Sequence, residues 1–346
     1  MFKVKSIDKE TIDGWQIAES GLTARAVNAC TAEGIATIGT LREYNENDLG
    51  KIIGMGNQSV QAIVRFLHTC DQIQAGNKLF DDLRSTFAFL LSQSQYDTLA
   101  LRYRLHTDEN NIETLEKIGR KHEVTRERVR QVEEKARKIL SSQLAQACLS
   151  SIYELFEDII GNNNMVAMDE NISASSTQPM TAGYNNSNLL HLLCDCSTRI
   201  TFHNNFYSLL SPETIKDIEN KAIKLLSSAI TPVSLNTILD TLSSSRPPSP
   251  TTIHRDTLVC ILRHHPDILS TIDDRYLTGE TGISAFIKEI MQKMPQPVHF
   301  RLINHEFNKT VQPVNRKGPG FILDILSSNQ QFRKISSGNY ELAIKA

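Results

Sequence analysis

The stretch IETLEKIGRKHEVTRERVRQVEEKARKIL, residues 112–140, limits the fold more than any other part of the sequence. Thr114 is a good N-cap for a short helix with Leu115 and Ile118 on its apolar face, because a threonine oxygen accepts from an otherwise orphaned backbone N–H. His122, Glu123 and Val124 make a turn, with Val124 expected as its buried plug. Thr125 caps the next helix, along which Val129, Val132, Ala136 and Ile139 recur at helical spacing. Two capped helices about such a turn read as a helix-turn-helix. Arg126, Glu127, Arg130 and Gln131 share one face of the second helix in its first two turns. Those residue types suit a major groove: Arg bonds guanine in bidentate fashion, Gln does so to adenine, and Glu accepts from cytosine. A recognition helix uses its N-terminal residues in this way. Arg120, Lys121, Arg128, Lys135 and Arg137 flank that face as candidates for phosphate neutralisation. A charged, solvated helix is the alternative, and the preceding capped helix and turn weigh against it.

The same segment resembles region 4 of housekeeping-type bacterial sigma factors, the part that reads the −35 promoter element. The core of the likeness is VTRERVRQVE; it runs upstream through LALRYRL and covers residues 79 to 144. The resemblance implies that Arg126, Glu127, Arg130 and Gln131 face bases and that Arg102 contacts phosphate. Three features depart from the family pattern. Ser94 stands where that family has a phosphate-contacting arginine, the loop LHTDENNIE is slightly long, and His122-Glu123 replaces the more usual turn.

Residues 22–67 carry a second pattern, in which Gly54-Met55-Gly56 separates a short helix from one holding Val60, Ile63, Val64 and Leu67. Glycines permit a tight turn, and free N–H groups at the following helix start can hold a phosphate. With the earlier GIATIG, this reads as a helix-hairpin-helix-like module. LTARAVN, then GIATIGTL, then LGKIIGMGNQS make the stretch similar to the C-terminal domain of the RNA polymerase alpha subunit. That resemblance implies minor-groove contact through Arg25, Asn28, Gly56 and Ser59. Asn57 and Gln58 replace the usual lysines there, which removes two phosphate partners.

The last third contains a repeat. PVSLNTILDTL at Pro232 returns as PVHFRLINHEF at Pro297, and each copy ends in a hairpin-like stretch with Tyr276 or Tyr340. Asp273-Asp274 and Ser337-Gly338 supply the turns. Three helices plus a terminal hairpin is a winged helix, expected at 211–280 and 281–346. A degenerate third copy ends in RITFHNNFYSLL, with Asn204-Asn205 as its turn and Tyr207 as its tyrosine. The repeats resemble winged helices of the HARE type. Thr252, Arg255, Arg316 and Lys317 are their candidate DNA contacts. Between 161 and 188 the sequence is polar and rich in Asn and Ser, so a flexible linker is expected within 148–210.

The expected fold class is therefore mainly α and multi-domain. It comprises a helix-hairpin-helix-like module at 1–75, a helix-turn-helix domain at 79–147, and tandem winged helices with short β-hairpins. The net charge of −2 does not decide about nucleic acid. Local charge is more telling: residues 113–140 hold nine Lys/Arg against six Asp/Glu, and residues 281–346 nine against four. The six cysteines lack zinc-like spacing, and no paired carboxylates or nucleophile motif stands in a supporting context. No metal, cofactor or enzymatic activity is expected. No apolar run reaches membrane-spanning length, and the expected location is the cytoplasm. The expected function is sequence-specific binding of double-stranded DNA in bacterial transcription. The alternatives are an accessory protein that binds RNA polymerase, and the DNA-recognition part of a mobile-element, defence or repair system.

Overall fold

The computed structural model describes residues 5–77, 79–109, 112–174, 179–244 and 253–343. It is mainly helical with small antiparallel sheets and divides into two compact units. The first comprises Met1–Asn163, Ala167–Phe202 and Tyr207–Leu209; the second comprises Asn164–Val166, His203–Phe206 and Leu210–Ala346.

The first unit opens with four short helices and one long one: α1 (Lys9–Asp13), α2 (Ala24–Ala32), α3 (Ile38–Leu41), α4 (Glu46–Lys51) and α5 (Asn57–Gln74). Their starts are written in side chains. Asp8, Thr23, Thr37 and Asn45 each accept from the backbone N–H three residues on. Ile12, Ile35, Ile38, Leu41, Ile63 and Phe66 form the core of this module.

α6 (Leu83–Leu90) and α7 (Gln93–Arg102) follow, each opened by a capping box at Asp82 or Ser92. Then come α8 (Leu115–Lys121), α9 (Arg126–Leu140) and α10 (Gln143–Cys148), with Thr114 and Thr125 capping α8 and α9 as expected. Leu144, Ala147 and Cys148 of α10 belong to the core of the preceding module.

The next elements are α11 (Ser150–Asn162), β1 (Val166–Ala167), α12 (Asp169–Ala174), α13 (Asn186–Cys196), β2 (Thr201–His203) and β3 (Phe206–Ser208). This is the helix–strand–helix–helix–hairpin order of a winged helix, with the Asn204-Asn205 turn at positive φ. The linker expected at 161–188 is therefore corrected: outside residues 175–178, which lie beyond the described residues, the stretch contributes β1, α12 and the start of α13. Its polar side chains are used as hydrogen-bonding groups. Asn185 caps α13. Asn163 and Asn171 bond local backbone at Ile159 and Met168. Asn186, Ser187 and Asn188 are buried. Hydrogen-bonded amides at Asn163, Asn171, Asn185 and Asn188 thus offset a low apolar content. The helix-turn-helix and this winged helix share one core, running from Leu83 and Phe87 through Ala136 and Leu140 to Phe156, Leu190, Leu193 and Tyr207.

The second unit repeats the winged order twice. The first copy holds α14 (Pro212–Ser228), β4 (Val233–Ser234), α15 (Leu235–Ser244), α16 (Arg255–His264), β5 (Ile268–Ser270) and β6 (Arg275–Thr278). The second holds α17 (Gly279–Gln292), β7 (Val298–His299), α18 (Phe300–Thr310), α19 (Pro319–Ser328), β8 (Phe332–Ser336) and β9 (Asn339–Leu342). Sheet orders are β1-β3-β2, β4-β6-β5 and β7-β9-β8, so the same topology recurs three times. The repeated residues fall in register: Val233 pairs with Tyr276, and Val298 with Tyr340. Buried Asn315 joins the two copies, accepting from the Ser270 N–H at 2.8 Å and its hydroxyl at 2.7 Å. Among the described residues no helix is long and apolar enough to cross a membrane.

Candidate nucleic-acid interface

The α8–α9 turn is set by Gly119, within α8. A Cβ on Gly119 would lie 2.7 Å from the Val124 carbonyl oxygen, so only glycine lets the turn close on α8. The turn is completed by Glu123 at φ 56° and by the Val124 N–H donating to the Gly119 carbonyl at 2.9 Å. Val124 itself is 42% exposed, so the buried-plug expectation is corrected: its backbone, rather than its side chain, fills the corner. The signal was present, because a mid-helix glycine costs about 1 kcal/mol against alanine and calls for a packing reason.

α9 turns Val129, Glu133, Ala136 and Leu140 inward. The expected stripe is thus partly displaced: Val132 and Ile139 sit at its edges, and a carboxylate lies inside it. Glu133 is held by Arg102, whose Nε approaches at 3.3 Å, and by Arg137 at 4.0 Å. The other end of the Arg102 guanidinium donates to the Glu113 carbonyl. Arg102 therefore ties α7 to α9, and its head group is already committed within the protein.

The opposite face of α9 is open. Arg126, Glu127, Arg128, Arg130 and Gln131 are all exposed along its first two turns. Arg130 makes a fork onto Glu127 at 2.9 and 2.8 Å and reaches Glu134 at 3.0 Å. Gln131 donates to Glu127 at 3.3 Å. Hydrogen bonds from Arg130 and Gln131 hold the Glu127 carboxyl below the usual carboxylate range, and Glu127 pushes the Arg130 guanidinium further up. Lys121 and Lys135 are exposed, and Arg120 pairs with Glu116 one turn earlier at 3.2 Å. Arg128 lines a cavity of about 370 Å³ with Ser94, Asp97 and His122.

In the first module the Arg25 Nε donates to the Gly54 carbonyl at 2.9 Å, beside Gly56, which starts α5 with no capping side group. Gly54 has φ 86°, a value that favours glycine. Asn28 is exposed one turn after Arg25, whereas Ser59 is buried at 7% exposure. Ile53, at the tip of the same hairpin, is 93% exposed, which its apolar character alone gives no reason to expect.

The winged-helix candidates are dispersed. Thr252 lies outside the described residues. Arg255 pairs with Asp274 at 3.1 Å, and Arg263 meets the same carboxylate at 2.9 Å. Arg316 is exposed, and the Lys317 ammonium lies 5.6 Å from the Phe321 ring centre. α13 is buried along most of its length.

Residues 5–69 match the family model for the C-terminal domain of the bacterial RNA polymerase alpha subunit. The match contains Arg25, Asn28, Gly56 and Ser59, and it fits a transcription-related, DNA-binding role. No curated protein and no solved structure matches this sequence. Among the described residues no group of three His, Cys, Asp or Glu side chains is placed to hold a metal ion. Burial pushes the thiols of Cys70, Cys148, Cys196 and Cys260 up to about 12, so none is a ready nucleophile at neutral pH.

Proposed function

We propose that this protein is a bacterial sequence-specific DNA-binding protein of transcription regulation or initiation. It reads promoter-like DNA by laying the start of α9 in a major groove, in the manner of sigma region 4. The observation that carries this reading is the exposed set Arg126, Glu127, Arg130 and Gln131, presented on a capped helix behind a glycine-closed turn. It is supported by the alpha-type module in the same compact unit, whose Arg25 and Gly54–Gly56 hairpin meet adjacent DNA or RNA polymerase. Arg120, Lys121, Arg128 and Lys135 meet phosphates. Four such contacts give a log–log salt slope of about −4. The winged helices are of the HARE type, and no catalytic step is assigned to the protein. The test is a gel-shift series on genomic fragments recovered by footprinting, with salt titration. Arg126→Ala with Arg130→Ala is expected to abolish discrimination between target and scrambled DNA. Unchanged discrimination, or no binding of the full-length protein at low salt, refutes the reading.

A second reading, an accessory protein that binds RNA polymerase with little DNA contact, is favoured by the first module. Arg25 is bonded internally, Asn57 and Gln58 stand in place of lysines, and Ile53 offers an apolar tip. Co-purification with polymerase that survives the double arginine substitution and is lost on Ile53→Ser supports it.

A further inference from the structure

The third helix of a winged helix is the element that a DNA-binding version lays in a groove. The last one in this protein has a different surface. α19, PGFILDILSS, contains no Lys or Arg. Its outer side forms one wall of a groove of about 690 Å³, within the range of binding sites that take a few buried side chains. The floor is apolar, from Ile223, Leu269, Ile283 and Phe321. Three carboxylates surround it, Asp267, Glu280 and Asp324, against the single ammonium of Lys317. Asp267 and Asp324 are exposed, and Glu280 accepts from the Ser328 hydroxyl at 2.9 Å. The buried Asn315–Ser270 bonds and the backbone bridge of Thr271 with Val311 hold the two copies that form the groove in one geometry.

Both parts of this surface select against nucleic acid. Three carboxylates repel a row of phosphates, and an apolar floor offers nothing to a sugar–phosphate edge. The same two parts suit a peptide that is apolar on one side and cationic at its flanks. We propose that this groove docks a short segment of a partner protein carrying two or three apolar anchors flanked by Lys or Arg. The anchors fill the floor over Leu269 and Phe321, and the flanking cations meet Asp267, Glu280 and Asp324. The groove belongs to the second unit and α9 to the first, so this docking and DNA reading fail or stand independently.

The test uses the full-length protein and labelled peptides of about a dozen residues in fluorescence anisotropy, a length that spans such a groove as a helix of about 18 Å. One set has Leu or Ile anchors with Lys and Arg flanks, one has the same anchors with Glu flanks, and one has the basic flanks without anchors. The basic, anchored set is expected to bind at least about tenfold tighter than either control. Asp267→Lys with Asp324→Lys, both exposed, is expected to weaken it at least about tenfold with unchanged circular dichroism and unchanged DNA binding. Equal binding of the acidic set, no binding of any set, or full binding after the double reversal overturns the proposal. So does self-association of the protein that is lost with the double reversal, or DNA affinity that falls on Lys317→Ala.

Discussion

Arg102 shows how a side group's neighbours decide its role. Its guanidinium joins Glu133 and the Glu113 carbonyl. Arg102→Ala is therefore expected to lower stability by about 2 kcal/mol, because it leaves the buried Glu133 carboxylate with only the more distant Arg137, while the salt slope of DNA binding stays unchanged. Chemical denaturation and the salt titration separate those outcomes; a shallower slope with intact stability assigns Arg102 to phosphate instead. Gly119→Ala places a methyl against the Val124 carbonyl, and overpacking of this kind costs about 1–3 kcal/mol, read as a lower denaturation midpoint. His191 lies against the rings of Tyr103 and Phe202, and burial lowers its pKa from the ordinary histidine value. The unfolded state then takes up the proton first, so stability falls as pH drops below about 6.5. His191→Gln is expected to flatten that part of the melting-temperature profile. The loss at lower pH, from carboxyls such as Glu289 that Arg275 holds below their usual range, should remain.

At the scale of elements, α13 fixes the geometry of the helix-turn-helix. Asn188 donates to the carbonyls of Arg104, Thr107 and Glu109 at 3.0, 3.2 and 3.1 Å, closing the long loop before α8. Tyr103 donates to Asp195, which also lies 3.5 Å from Arg137 of α9. A fragment of residues 79–147 is expected to lack dispersed amide signals in NMR, whereas residues 1–210 give a folded spectrum; a folded 79–147 fragment contradicts the shared core. Asn188→Ala should speed hydrogen exchange in the 104–109 loop above all other segments. Much of this was legible in the sequence. Thr114 and Thr125 cap where expected, the Pro-Val repeat returns as the β4 and β7 strands, and Tyr207, Tyr276 and Tyr340 mark three equivalent hairpins. The illegible part was long-range. Asn188 reads as linker composition until its three carbonyl partners, some eighty residues away, are in place. Glu133 reads as solvated until Arg102 and Arg137 surround it. Local patterns carry caps and periodicity, but they do not carry the partner that makes a polar side group buriable.

For the whole molecule, the residues assigned to DNA reading belong to one unit, so residues 1–210 are expected to keep target affinity within about tenfold of the full-length protein and to keep its salt slope. Retention of the slope by residues 211–346 instead would relocate the interface. Among the described residues four helices, α9, α13, α16 and α19, hold the place of a recognition helix, and they have diverged. α13 is buried, the arginines of α16 are paired with Asp274, and α19 is apolar and acidic, whereas α9 presents an exposed row of Arg126, Arg128, Arg130 and Gln131, the last two held by Glu127. In the proposed reading α9 is the major-groove reader, and the described residues hold no second helix with such a row. The protected tract on DNA should accordingly be short and lack dyad symmetry, without the paired half-sites a full helical turn apart that a two-fold reader imposes.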